Sequence, residues 1–235
     1  MGFADSPLIL LPGLLCDAQL WRAQIDDLAV LASASVADLT LDISVAAMAE
    51  RVLAVAPPRF ALAALSMGGY VAFEIMRQAS ERVTRLALFD TQAALDEPER
   101  IRLRRRGMES LRLGRFVGVT SSLLPQLVHP SQIEGPVGET VKAMAKRVGG
   151  AAFLRQQQAI LDRPDSRPTL ATIKVPTLVA VGAQDVLTPV EDAIEIHQGI
   201  AGSRLRIIDQ CGHLPALERP AETSSILREW LAERN

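Results

Sequence analysis

Cysteine is nearly missing from this chain. The two present, Cys16 and Cys211, give neither a disulfide framework nor a zinc-ligand pattern. An excess of one charge is missing too. With 25 Lys and Arg against 27 Asp and Glu, the net charge of −2 gives no reason to expect a nucleic-acid or anionic-membrane partner. Long apolar runs are absent, because Pro12-Gly13 and Pro57-Pro58 interrupt the longest ones well short of a membrane span. The opening Met-Gly-Phe-Ala-Asp has no basic stretch and no apolar core behind it, so no secretory leader is expected and a cytoplasmic location is. Histidine is scarce: imidazole chemistry has only His129, His197 and His213 to draw on. What remains is an ordinary soluble composition, 49% hydrophobic and 22% charged over 235 residues. That length suits one large domain, or one domain carrying an insertion.

Short apolar runs ended by turn residues predict strands buried on both faces, as in a parallel sheet. They fall at Leu8 to Leu11, weakly from Val36, at Phe60 to Leu65, Leu86 to Phe89, Thr177 to Val181 and Leu205 to Ile208. Helical patterns lie between them. Asp17 can cap a helix through Leu20, Trp21, Ile25, Leu28 and Leu31. Ser44 opens another that Pro57-Pro58 stops, Met67 to Gln78 forms a third, and Pro220 starts a last one through Trp230. Thr188-Pro-Val-Glu191 has the form of a capping box for a helix running to about His197. The alternation predicts an α/β fold, a mostly parallel sheet of about six strands with helices on both faces.

Residues 94–168 break the alternation. The stretch is helical in character, holds no strand pattern, and is punctuated by Gly114, Gly118, Pro125, Pro130, Gly135-Pro136 and Gly149-Gly150. It carries 13 Lys and Arg against 8 Asp and Glu, so its balance is +5 where the rest of the chain has −7. The reading is a core of residues 1–93 and 169–235 interrupted by a helical insertion, 94–168. The arginine-rich run from Arg100 to Arg106 reads first as a solvated helix face.

Chemistry collects at the strand ends. Ser66, in Ala64-Leu-Ser-Met-Gly68-Gly69, stands between a strand and a helix. A tight turn there exposes the hydroxyl and aims the helix N-terminus at charge developing beside it. The same residues also suit a serine that merely caps the helix. Asp185, in Gly182-Ala-Gln-Asp185, lies at the carboxyl end of a strand, where such sheets bind ligands. A loop Asp is often only a turn or cap residue, but here Thr188 fills the cap position. Asp90 ends the preceding strand and is the rival acid. His213, in Cys211-Gly-His, follows the last strand, whereas His129 and His197 read as surface or capping histidines. Cys16 and Cys211 read as buried packing.

With these motifs in place, nearly the whole chain resembles the α/β-hydrolase superfamily. The stretch around Ser66 is similar to its Gly-x-Ser-x-Gly motif, with Ala64 in place of the first glycine. The Ser-Met-Gly-Gly core resembles that of enol-lactonases and carbon–carbon bond hydrolases, and Gly13 to Trp21 resembles the start of small carboxylesterases. The resemblance implies Ser66 as nucleophile, His213 as base and Asp185 as orienting acid, in the chain order usual for these enzymes, with Asp90 the other place some members take their acid. Pro12-Gly13 matches the family's His-Gly dipeptide without the histidine, which implies oxyanion donors at the Leu14 and Met67 N–H groups.

The resemblance further implies hydrolysis of a small ester, thioester or lactone with no cofactor and no metal. Carbon–carbon cleavage or a lyase step on the same triad, or a small-molecule receptor on the same fold, stand as alternatives. The insertion is expected to form a lid above Ser66, with Phe116, Val119, Leu123, Leu124, Leu127 and Phe153 as candidates to line the pocket; Phe116, Leu124 and Phe153 lead. The only partner expected is the small substrate.

Overall fold

The computed structural model describes residues 6–114, 118–119 and 123–233. Six parallel strands form one sheet in the order β2-β1-β3-β4-β5-β6. They are β1 (Ser6–Leu11), β2 (Ala32–Val36), β3 (Phe60–Leu65), β4 (Val83–Phe89), β5 (Thr177–Gly182) and β6 (Arg204–Ile208). The second strand ends at Val36, where the sequence pattern had it begin. Its residues Ala-Ser-Ala-Ser-Val carry little hydrophobic signal, as befits an edge strand with buried and exposed residues alternating. Central β3 and β5 are buried along their whole length, which explains their unbroken apolar runs.

Successive side chains point to opposite faces. Ile9, Leu11, Leu62, Ala64, Leu86, Leu88, Val179 and Val181 pack on one side with helices α2 (Val45–Val55), α3 (Met67–Ala79) and α8 (Val190–Gly199). Leu8, Leu10, Ala61, Ala63, Phe89, Leu178 and Ala180 pack on the other with α1 (Arg22–Leu28) and α10 (Pro220–Ala232). Trp21 meets Phe89 edge-on there, ring centroids 5.9 Å apart.

Between β4 and β5 the described elements are all helical: α4 (Pro98–Arg112), α5 (Leu124–Leu127), α6 (Pro136–Leu161) and α7 (Arg167–Leu170). Helix α6 is really two, since Gly149 at φ +77° and ψ 171° breaks it. A buried ion cluster ties the two ends of this insertion together. Asp96 accepts from Arg163 (2.9 Å), from Arg104 and from Gln92 (2.8 Å), and the Arg163 guanidinium lies 4.2 Å from the Tyr70 ring centre on α3. Burial works to raise the Asp96 carboxyl, but the Arg104 and Arg163 charges outweigh it and hold it below the ordinary range. Arg100 and Arg104 therefore turn inward, while Arg102, Arg105 and Arg106 face solvent. Among the described residues no helix is long and apolar enough to cross a membrane. A short α9 (Pro215–Glu218) completes the chain before α10.

Candidate active site

Each sequence candidate in the core sits at the carboxyl end of a strand. β1 and β3 pair Leu11 with Ala64, so two residues further on Gly13 and Ser66 run side by side. A methyl on Gly13 would lie 3.4 Å from Ser66 Cβ, which is the space its hydrogen leaves. Ser66 itself adopts φ +55° and ψ −116°, an unfavourable conformation for a residue with a side chain. The turn is held by the Ser66 N–H to the Phe89 carbonyl (3.0 Å) and by the Thr91 hydroxyl and Gly69 N–H, both donating to the Ser66 carbonyl at 2.8 Å. Close packing dictates the two glycines after Ser66. A Cβ on Gly68 would come within 2.6 Å of the Leu11 carbonyl oxygen, and one on Gly69 within 2.3 Å of Thr91 Oγ1. Ala64, at the first-glycine position of the motif, is fully buried within β3. Met67 begins α3, so its N–H has no acceptor inside the helix.

The three side chains meet. Ser66 Oγ is 2.8 Å from His213 Nε2, and His213 Nδ1 is 2.7 Å from Asp185 Oδ2. A carboxylate can only accept, so the imidazole proton sits on Nδ1 and Nε2 is left to accept from the serine. Burial, the largest influence on Asp185, works to raise it. The His213 charge and hydrogen bonds from His213, Thr188 and the Leu187 N–H outweigh that and hold the carboxyl below its ordinary range.

The expected capping box at Thr188 does not form. The helix starts at Val190 with Pro189 at its cap position and no side-chain cap bond. The Thr188 hydroxyl donates instead to Asp185 Oδ2 at 2.7 Å, while Asp185 Oδ1 accepts the N–H groups of Leu187 (2.8 Å) and Thr188 (3.2 Å). Asp185 is thus a turn residue and the partner of His213 at once; the two roles weighed against each other coincide.

Asp90 lies close by without touching the imidazole by hydrogen bond. It is fully buried at φ +46°, accepts the Gly182 N–H at 2.9 Å through Oδ1, and leaves Oδ2 without a partner among the described residues. Burial first, and then the charge of Asp185, push its carboxyl well above the usual value. Asp90, Asp185 and His213 bring potential ligand atoms within 4.8 Å of one another, but Asp185 and His213 already bond each other in that cluster.

Further residues, which no local pattern announced, hold the histidine loop. Buried Glu218 accepts three backbone N–H groups, from Gly212 (3.0 Å), Leu214 (2.9 Å) and His129 of the insertion (2.7 Å). The His213 N–H donates to the Leu127 carbonyl (3.1 Å), again in the insertion. Gln184 bonds the Cys211 N–H through its side chain and the Cys211 carbonyl through its own N–H, both at 2.9 Å, stitching the acid loop to the histidine loop.

The other candidates fall elsewhere. His129 caps a short turn by accepting the Ser131 N–H, and His197 pairs with Ser203. Both thiols are buried; burial and then Asp17 push Cys16 up to about 12, and burial pushes Cys211 higher still. Leu124 is 1% exposed and packs in the core layer shared with the insertion, whereas Phe153 is half-buried and reaches toward Gly107 of α4. Phe116 lies outside the described residues.

Comparison with known proteins bears on the fold and the family. A pimeloyl-[acyl-carrier protein] methyl ester esterase of Neisseria meningitidis serogroup C is 28% identical over 179 residues, covering 71% of this chain and 67% of that protein. For the serogroup A counterpart the match covers 55% of its length. A thermophilic esterase from Thermogutta terrifontis superposes with a TM-score of 0.88 at 29% identity, covering 97% of this chain and 90% of that one. The enol-lactonase of Burkholderia xenovorans, 23% identical, shares the fold with a TM-score of 0.82 over 97% of this chain and 92% of its own. Residues 8–226 match the Alpha/beta hydrolase family, and the chain belongs to that family.

Proposed function

We propose that this hydrolase cleaves a small carboxylic ester through an acyl-enzyme on Ser66. The observation that carries the reading is the continuous relay from Ser66 Oγ through His213 to Asp185, 2.8 and 2.7 Å long, at a strained turn. His213 Nε2 takes the hydroxyl proton as Ser66 attacks the ester carbonyl, and Asp185 stabilises the imidazolium that results. The Leu14 and Met67 N–H groups receive the oxyanion. His213 then gives its proton to the departing alcohol, and activates the water that releases the acid. An ester is favoured over a lactone or a carbon–carbon bond because the Neisseria and Thermogutta relatives are both named as esterases.

A fluorophosphonate reagent tests this directly. The expected result is one adduct, on the Ser66 peptide, with p-nitrophenyl ester turnover lost in proportion to labelling. An adduct elsewhere, or labelling that leaves turnover intact, would refute the mechanism. Labelling of Ser66 in a protein that turns over no ester of any chain length would point to a receptor.

The insertion serves as the lid, and its apolar side chains grade the acyl group. Leu124→Ala and Phe153→Ala are expected to change the ranking of rates across an acyl-chain series. Leu124→Ala also costs stability, about 2–5 kcal/mol for so buried a leucine. Variants that melt earlier yet keep the wild-type ranking would reduce these residues to packing.

A further inference from the structure

The loop after β1 carries Leu14, and its shape is fixed from outside the core. Gly13 to Cys16 forms a tight turn closed by the Cys16 N–H on the Gly13 carbonyl (3.1 Å). Its third residue, Leu15, adopts φ +59°, a place usually taken by glycine. A turn of this kind can relax by flipping its central peptide, which would return Leu15 to negative φ and reverse the Leu14 carbonyl and the Leu15 N–H. Here that peptide is gripped at both ends. The Cys16 thiol sits 3.6 Å from the Leu14 carbonyl oxygen as donor. The Leu15 N–H donates to Gln156 Oε1 at 3.1 Å, and Gln156 belongs to α6, 141 residues away in sequence.

Gln156 is fully buried and both ends of its amide are used: Nε2 donates to the Leu39 carbonyl at 3.1 Å. An N–H on one side and a carbonyl on the other leave only one orientation of the amide that bonds both. Neighbouring Arg155 donates to the Thr40 carbonyl (2.8 Å), and Arg147, on the other side of the Gly149 break, forms a paired contact with Asp17. The insertion thus holds the first loop at Leu15 and Asp17, and the loop after β2 at Leu39 and Thr40.

We propose that Gln156 is a positioning residue for oxyanion stabilisation: its buried amide ties the Leu14–Leu15 peptide to α6, and the turn so anchored holds the Leu14 N–H, in the adjoining Gly13–Leu14 peptide, beside Ser66. The proposal rests on the reading of Ser66 as nucleophile and Leu14 as oxyanion donor. The lid then does more than cover the pocket, since it completes the geometry of the oxyanion site.

The test compares Gln156→Met, which removes both hydrogen bonds at similar volume, with Gln156→Glu, which keeps an acceptor for the Leu15 N–H. Arg155→Ala serves as control, breaking a neighbouring anchor of the same helix. For Gln156→Met the expected loss in kcat on a p-nitrophenyl ester is about 10–100-fold, a portion of what deleting an oxyanion donor costs, with KM changed less than about 3-fold. A boronic acid that mimics the tetrahedral intermediate weakens by the same factor, and hydrogen exchange at the Leu15 amide speeds up. Gln156→Glu recovers part of kcat, and Arg155→Ala stays within about 2-fold of wild type. The proposal is overturned if Gln156→Met keeps wild-type kcat, if Gln156→Glu is no better than Gln156→Met, or if Arg155→Ala loses as much. Should Gln156→Met fail to fold, Gln156→Glu decides alone, since it keeps the acceptor but loses the bond to the Leu39 carbonyl: a kcat about 3–10-fold down with faster Leu15 exchange supports the assignment, and wild-type kcat, or a loss in kcat with Leu15 exchange unchanged, overturns it. Turnover in the wild-type background that survives Ser66→Ala removes the underlying reading instead, and is seen without any change at Gln156.

Discussion

Ser66→Ala leaves the protein folded and reduces ester turnover to no more than about a thousandth of wild type, the usual scale for losing a triad member. The loss is chemical, because the methyl side chain keeps the volume at Cβ while removing the hydroxyl that meets His213 Nε2. Stability is expected to hold or rise. Ser66 occupies a positive-φ position for the sake of its hydroxyl, and alanine fits the same turn, whose bonds at the Ser66 N–H and carbonyl are made by the backbone. Circular dichroism and a melting curve confirm the fold, and a p-nitrophenyl ester assay reads the activity. Turnover above that thousandth means the nucleophile lies elsewhere.

The two buried aspartates are expected to part company. Asp185→Asn lowers kcat by about 10⁴-fold, because an amide donor facing Nδ1 favours the wrong imidazole tautomer and leaves the imidazolium without a counter-charge. Asp90→Asn stays within a few-fold of wild type. Burial and the Asp185 charge favour its neutral form, which an amide imitates, and the amide oxygen still accepts the Gly182 N–H. The same neutrality has a consequence for stability. In the unfolded chain Asp90 gives up its proton near its ordinary value of 3.8, while in the folded protein it retains the proton to higher pH. The unfolded state therefore binds fewer protons than the native state above that value, and stability falls as pH rises toward the folded pKa. Asparagine has no proton to lose, so Asp90→Asn melts a few degrees higher than wild type at about pH 8, and the gap closes toward about pH 4. A severe kinetic defect at position 90 with a mild one at 185 would move the acid to the earlier strand.

The sheet, its helices and the three meeting side chains were legible because each has a local signature. Fully buried strands such as Phe60–Leu65 read as unbroken apolar runs; Ser66 follows that strand directly, Asp185 comes three residues after β5, and His213 five after the partly exposed β6. The second strand was half legible, since an edge strand of alanine and serine differs little from a loop in composition. Thr188 misled for an instructive reason. A Thr-Pro-x-Glu string fits a capping box, yet the hydroxyl found a stronger acceptor in the Asp185 carboxylate three residues back. Asp96 and Arg163 carry no local signature, because the bond that buries them together joins residues 67 positions apart. Gln156 and Glu218 were invisible. Their partners are main-chain groups, which every residue supplies, and those partners lie up to 141 positions away.

Glu218 also sets a rule for how this molecule can vary. One carboxylate gathers N–H groups from the histidine loop and from His129 in the insertion, and it is buried where water cannot replace a missing donor. A transplanted insertion of different length or sequence is therefore acceptable to this core only if it returns a backbone N–H to the spot that His129 occupies. Variation in the insertion is free along the outer helices and closed at residues 127–129, where His213 and Glu218 both take hold of its main chain. Substrate range can drift by changing what lies between those anchor points, while the histidine loop stays where it is.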